Sequence, residues 1–152
     1  MVTAFVRRRA SAGIVAALIL LAVSGCDSSP ELDALKDDPM ARYEPPGGQL
    51  VDTRSQDVDS ALGKPIQARY QRWFQMPRGD PQAQLDAVLR AASDVGWDVS
   101  DDPVFRFKGS LTRMATKQLP SGGGRLSVSV FTNGSPGGTI RGRGVVVSLH
   151  HS

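Results

Sequence analysis

The stretch from Ile66 to Gly96, IQARYQRWFQMPRGDPQAQLDAVLRAASDVG, contains the two patterns that decide the fold. Its first part alternates apolar and polar side chains, which predicts a half-buried strand. The apolar face consists of Ile66, Ala68, Tyr70, Phe74 and Met76. Arg72 interrupts that face. Trp73 lies on the opposite, outer face, where it is a candidate contact residue.

An amphipathic helix is predicted after the turn at 77–79. Asp80 supplies an N-cap acceptor, and Pro81 suits the first helical position. Apolar residues then recur at helical spacing, at Leu85, Val88, Leu89, Ala92 and Val95. Gly96 suits the left-handed residue that ends a helix. We therefore expect one helix that covers a sheet with one face and meets water with the other.

Three further strands are predicted downstream, at 105–114, 126–130 and 139–150, separated by Gly-rich turns. Gly109 is expected to form a bulge. The order strand, helix, strand, strand, strand favours the α+β class. We expect a small antiparallel sheet of about four strands with one helix packed on one face, within a domain that covers residues 64–152.

Residues 1–25 have the three-part pattern of an export signal peptide. Arg7, Arg8 and Arg9 form its basic stretch, and an apolar run of 14 residues follows at 10–23. A transmembrane helix needs about 20 apolar residues. The run therefore predicts a cleaved leader rather than a membrane span.

The leader ends in Val23-Ser24-Gly25-Cys26, which contains the single cysteine of the chain. This tetrapeptide resembles the lipobox of bacterial lipoproteins. The resemblance implies that Cys26 receives a diacylglyceryl group and that a peptidase cleaves between Gly25 and Cys26. It implies a protein anchored by palmitate-type chains to the extracytoplasmic face of the cell membrane. The alternative is a free cysteine in an ordinary signal peptide.

The composition is similar to that of small envelope lipoproteins from bacteria of high genomic G+C, since arginine outnumbers lysine 14 to 4. Residues 26–63 are rich in Pro, Gly and Asp and poor in large apolar side chains. Such a segment buries too little surface to offset its ordering entropy. It predicts a lipid-anchored, acidic tether. The apolar residues available to dock on the domain are Met40, Tyr43, Leu50 and Val51.

The charges are distributed unevenly along the chain. The whole sequence has 18 basic and 15 acidic residues, a net charge of +3 and a pI of about 9.4. Residues 26–102 contain 15 acids and 8 bases, a net charge of −7, whereas residues 103–152 contain 7 bases and no acid. Beyond the leader the chain is therefore neutral in sum, with its bases concentrated towards the C-terminus.

Two interpretations of this asymmetry stay open. In one, opposite charges are neighbours on the surface, each pair contributing about 0 to 1 kcal/mol. In the other, the bases gather on the outer sheet face and bind anionic headgroups or a polyanionic wall polymer. Those bases are Arg106, Lys108, Arg113, Lys117, Arg125, Arg141 and Arg143. The contact candidates among them are Arg106, Lys108, Arg141 and Arg143.

Neither a catalytic nor a metal site is predicted. His150 and His151 are adjacent, so on a strand they point to opposite faces. The stretch 141–144 (RGRG) resembles a fragment of an RNA-binding RGG segment but is better interpreted as a strand bend, so no nucleic acid partner is expected. No cofactor is expected either.

These observations predict a membrane-anchored envelope lipoprotein whose domain is a non-catalytic binding or interaction module. Its expected partners are the lipid bilayer, through acylated Cys26, and an envelope protein or polyanion. The alternative is a cell-envelope enzyme or accessory subunit that acts on wall material, and the sequence leaves enzymatic activity open.

Overall fold

The structure is a computed structural model that describes residues 28–61, 63–99 and 103–152. Within these ranges the chain forms two α-helices, α1 (Pro30–Asp37) and α2 (Pro81–Asp94). It also forms eight strands: β1 (Gln49–Gln56), β2 (Asp59–Ala61), β3 (Lys64–Ile66), β4 (Arg69–Gln75), β5 (Phe105–Phe107), β6 (Ser110–Leu119), β7 (Gly122–Phe131) and β8 (Gly144–His151). Short 3-10 helices occur at Pro39–Ala41 and Pro136–Gly138. The predicted α+β class is confirmed.

Six strands form one antiparallel sheet in the order β1-β4-β8-β7-β6-β5, and β2 pairs with β3. One row across the sheet illustrates the register. Phe74 lies opposite Val145, Val145 opposite Val130, and Val130 opposite Leu111. All four side chains are buried in the core, so they define the inner face of the sheet.

Both helices pack on this inner face. α1 contacts β4 and β8, and α2 contacts β6 and β7. Their apolar side chains join the sheet residues in one core cluster, to which the helices contribute Leu32, Leu35, Leu85, Val88, Leu89 and Ala92. The other side of the sheet, here called the open face, carries no helix in the described part of the chain.

Helix α2 forms as predicted from its capping residues. The Asp80 carboxylate accepts the backbone N–H groups of Gln82 and Ala83 at 3.2 and 3.1 Å. At the other end Gly96 adopts a φ of +88°, and its N–H donates to the Ser93 carbonyl at 3.0 Å. The cap and the left-handed glycine therefore fix both ends of the helix.

The sheet is larger than the four strands that the sequence predicted. Lys108 and Gly109 form a two-residue turn with φ of +41° and +80°, and this turn divides the predicted strand 105–114 into β5 and β6. A left-handed φ at both positions is what a tight hairpin requires, so Gly109 is a turn residue and not a bulge. The sixth strand, β1, comes from the segment expected to be a tether.

The described part of the expected tether 26–63 belongs to the folded unit. Leu32 and Leu35 of α1 and the neighbouring Met40 lie in the core, whereas Leu50 and Val51 of β1 are exposed. Acidic residues that suggested a solvated spacer accept backbone N–H groups or form ion pairs within the domain. Asp38, for example, accepts the N–H of Met40 at 2.9 Å. The domain therefore does not begin at residue 64.

The predicted leader at 1–25 and the predicted lipidation residue Cys26 lie outside the described residues. Among the described helices, none is long and apolar enough to cross a membrane.

Candidate functional site

Five basic side chains are located at the end of the sheet where β4 and β7 end and where β6 and β8 begin. They are Arg78, Arg106, Lys108, Arg141 and Arg143, and we call this surface the basic end. It includes all four of the basic contact candidates predicted from the sequence. Arg78, in the connection between β4 and α2, was not among those candidates.

Within the described residues, the cations of the basic end have no carboxylate partners. Of the ion pairs formed within the described ranges, none involves these five residues. Arg106 donates to the Gln82 side-chain oxygen at 3.4 Å, and the Lys108 ammonium lies 5.3 Å from the centre of the Phe107 ring. Asp80 lies at the same end, but its two oxygens accept helix N–H groups. The result is a surface of excess positive charge.

A groove of about 410 Å³ lies between the start of α2 and the β5–β6 hairpin. Arg106, Phe107 and Lys108 form one wall, and residues 80–82 form the other. The Phe107 side chain is 69% exposed, which places an aromatic ring beside the two cations. The groove can therefore contact a ligand that carries both negative charge and apolar surface.

The loop that carries Arg141 and Arg143 is held by Gln75 at the end of β4. The side-chain N–H₂ group of Gln75 donates to the carbonyl of Arg141 at 2.9 Å and to that of Arg143 at 2.6 Å. Ile140, in the same loop, is almost completely buried, and its N–H donates to the Ser135 hydroxyl at 2.9 Å. This support fixes the backbone from which the two guanidinium groups project.

The prediction that all seven C-terminal bases gather on the outer face is wrong. Lys117 points to the inner side, where its ammonium pairs with Asp38 at 2.7 Å and donates to the Val95 carbonyl at 2.8 Å. Arg113 donates to the Val99 carbonyl at 3.0 Å. Both residues alternate in phase with Leu111 and Ala115 of the core, so the strand period directs them towards the helices.

Asp38 is the centre of an inner polar cluster that the sequence did not indicate. Its side chain is 1% exposed and bonds three partners. Besides Lys117 and the N–H of Met40, it accepts the indole N–H of Trp97 at 3.1 Å. These contacts join the segment after α1 to β6 and to the residue that follows α2. A buried cation, Arg72, bonds Glu44 at 2.9 Å and the Tyr43 carbonyl at 3.0 Å.

Trp73 lies on the open face, as predicted. The guanidinium of Arg54 from β1 lies 4.8 Å from the centre of its ring, a distance typical of a cation–π contact. Arg54 also pairs with Asp52 at 2.7 Å. Trp73 is therefore partly covered by β1, and its role as a contact residue stays a prediction.

The two histidines lie on opposite sides of the sheet. His150 is on the open face, where burial lowers its pKa, with smaller contributions from the neighbouring Arg69 and Arg125. The His151 ring contacts the Ser121 carbonyl at 3.1 Å. Across the described ranges, no group of three or more His, Cys, Asp or Glu side chains is arranged to hold a metal ion.

No protein-family model matches this sequence, and the searches of curated proteins and of solved structures found no similar chain.

Proposed function

We propose that this protein is a cell-envelope lipoprotein, anchored through acylated Cys26 on the extracytoplasmic face of the membrane, whose domain is a non-catalytic binding module. The basic end is its binding surface. The anchor part of the proposal rests on the lipobox-like sequence Val23-Ser24-Gly25-Cys26. The binding part rests on the arrangement of charges in the domain.

The observation that carries the binding part is that five cations lie together at one end of the sheet and that none of them pairs with a described carboxylate. Four basic residues elsewhere in the domain have a carboxylate partner within 4 Å: Arg42, Arg54, Arg72 and Lys117. The five cations of the basic end have none within the part of the chain that the structure describes. Guanidinium groups present paired N–H donors that match phosphate and carboxylate oxygens, so these residues are suited to an anionic ligand.

No specific observation favours the alternative of an envelope enzyme. Asp80, the carboxylate that lines the groove, is already bonded to two N–H groups of α2. Such an acceptor stabilises the helix start. We therefore retain the binding module as the proposed function.

The anchor is tested by the Cys26→Ala variant in cells fed a labelled fatty acid. We expect unprocessed precursor and no labelled protein, because the thiol that becomes the thioether is missing. Ser24→Ala is the matched control, since it keeps a small residue before the cysteine and should be labelled normally. Labelling of the Cys26→Ala protein at the normal level contradicts the anchor.

The binding surface is tested by retention of the full chain on a phosphate-bearing resin. Arg78→Gln with Arg141→Gln should lower the salt concentration needed for elution. Arg42→Gln with Arg90→Gln removes the same charge from exposed positions outside the basic end and should have a smaller effect. Equal shifts for the two double variants contradict a localised binding surface.

A further inference from the structure

The chain enters the domain at the end of the sheet opposite to the basic end. The N–H of Ser29 donates to the Asp57 carboxylate at 2.9 Å, and Asp57 directly follows β1. Because β1 is antiparallel to β4, the end of β1 lies beside the start of β4. Gln75, which holds the loop of the basic end, is the last residue of β4.

The start of α1 has a second contact at the same end. Pro30 and Asp33 line a groove of about 480 Å³ together with Pro120 and Ser121, from the turn between β6 and β7. The register of β7 on β8, and of β8 on β4, places this turn beside the start of β4. We call this region, with Ser29 and its surroundings, the anchor end.

Chain length limits how far the domain can stand from a lipidated Cys26. One residue, Asp27, separates Cys26 from Ser28, the first described position, and the two residue steps between them span at most about 7 Å. The basic end lies one strand length away, which is about 20 Å for the seven residues of β4. Electrostatic attraction to a bilayer is screened over about 8 Å at physiological ionic strength. When the strands point away from the membrane, the basic end is therefore beyond the range of the headgroups.

The anchor end carries charges of both signs. Glu31, Asp33 and Asp57 lie close to the point where the chain enters, and hydrogen bonds from the Ser29 side chain and backbone lower the pKa of Asp57. Arg69, the first residue of β4, lies at the same end. Among the described residues, the excess of basic side chains is therefore at the distant, basic end and not at the tethered end.

The cations of the basic end are too widely spread for one small anion. Arg143 directly precedes β8, whereas Arg106 and Lys108 belong to the β5–β6 hairpin, three strands away in the sheet. At about 4.8 Å per strand, this is a separation of about 14 Å. An extended chain with regularly spaced charges can contact all of them together, and phosphate groups match the bidentate geometry of arginine.

Resting on the proposed anchor, we infer that the basic end faces away from the membrane and binds an extended polymer of phosphate groups that lies outside the bilayer. The anchor end faces the headgroups. The ligand is then a component of the envelope beyond the anchoring membrane and not a lipid of that membrane.

Orientation is tested with the lipidated full chain in vesicles that contain a headgroup-linked quencher. Cys26 is the single native cysteine and is consumed by the thioether, so an added cysteine can be labelled alone. Val58→Cys places a fluorophore near the anchor end, and Pro136→Cys places one in the loop of the basic end; both side chains are exposed. We expect quenching to be several-fold stronger at position 58.

Equal or stronger quenching at position 136 overturns the inferred orientation. Protein that does not float with the vesicles contradicts the anchor itself, and this outcome is distinguishable because neither label is then quenched.

The ligand is tested with long-chain polyphosphate and the same lipidated protein in neutral vesicles. Replacing Arg78, Arg106, Arg141 and Arg143 by Gln should weaken binding about tenfold or more, because each cation that contacts a phosphate releases a counterion. Polyglutamate of equal charge is the comparison polymer. Failure to bind polyphosphate, or equal binding of polyglutamate, overturns the assignment of a phosphate polymer, as does equal binding to vesicles of anionic lipid alone.

Discussion

The inner polar cluster and the basic end use basic residues in opposite ways. At the inner cluster Lys117 bonds the buried Asp38 at 2.7 Å, and this pair connects the acidic N-terminal part of the chain to the basic C-terminal part. At the basic end Arg141 and Arg143 have no ion pair among the described residues. Some cations therefore stabilise the fold through ion pairs, whereas others are available for binding.

This contrast answers both interpretations of the uneven charge. Part of the basic surplus is neutralised across the core, between residues far apart in sequence. Arg106, Lys108, Arg141 and Arg143 are collected at one end of the sheet, whereas Arg125 lies opposite His150 towards the other end. The two interpretations therefore describe different residues of the same domain.

The largest effect on stability is expected when the buried charge of Asp38 is removed. Asp38→Ala removes the acceptor of Lys117, of Trp97 and of the Met40 N–H. Breaking a buried ion pair on one side typically costs about 3 to 5 kcal/mol, so we expect the free energy of unfolding to fall by about 3 kcal/mol in a denaturant titration. Asp37→Ala, at an exposed neighbouring position, is the control. Surface substitutions ordinarily change the free energy of unfolding by ~0.5 kcal/mol. A loss below about 1 kcal/mol for Asp38→Ala would therefore show that the pair does not stabilise the fold.

A smaller effect is expected from His150, a titratable group among cations on the open face. Its pKa lies below the ordinary 6.5 because of burial, followed by Arg69 and Arg125. The unfolded chain therefore takes up the proton at a higher pH than the folded domain does. The stability that this group contributes is complete above the ordinary pKa and is lost as the pH falls through the folded pKa.

The measurement for His150 is the free energy of unfolding between about pH 7.5 and about pH 5.5, which is about one unit on each side of its usual pKa. His150→Gln should reduce the loss of stability on acidification, whereas His151→Gln serves as the comparison. An unchanged pH profile in the His150→Gln protein contradicts the lowered pKa.

The smallest effect on stability is expected at the basic end. Arg141→Gln together with Arg143→Gln removes two charges that pair with no carboxylate in the described ranges, so the free energy of unfolding should change by less than about 0.5 kcal/mol. Thermal unfolding at matched salt measures this change. Destabilisation comparable to that of Asp38→Ala would show that these arginines stabilise the fold, and the contrast between the two regions would disappear.

The sequence predicts those elements whose signals are local. Helix α2 follows from the Asp80 cap, the apolar spacing and Gly96, all within 17 residues. The alternation of apolar and polar side chains in the sequences of β7 and β8 is an equally local signal. Four of the five cations of the basic end were identified from composition alone, because residues 103–152 contain only basic charges.

The packing of the N-terminal segment into the core was missed because it depends on distant partners. Helix α1 has only eight residues, too few to be stable alone, and Asp38 just after it bonds Trp97 and Lys117, which are 59 and 79 positions away. No pattern near Leu32 and Leu35 reveals these contacts. Similarly, the role of Gln75 in supporting the basic end depends on a loop 66 residues later in the chain.

The central position of β8 has a consequence for the order in which the domain can fold. This strand is the last of those described, yet it lies between β4 and β7 and pairs with both. Until it has been synthesised, the strands β1 and β4 have no link to the rest of the sheet. Non-local pairing of this kind slows folding. The six-stranded sheet of a chain that we propose is exported would thus stay incomplete until β8 has been synthesised.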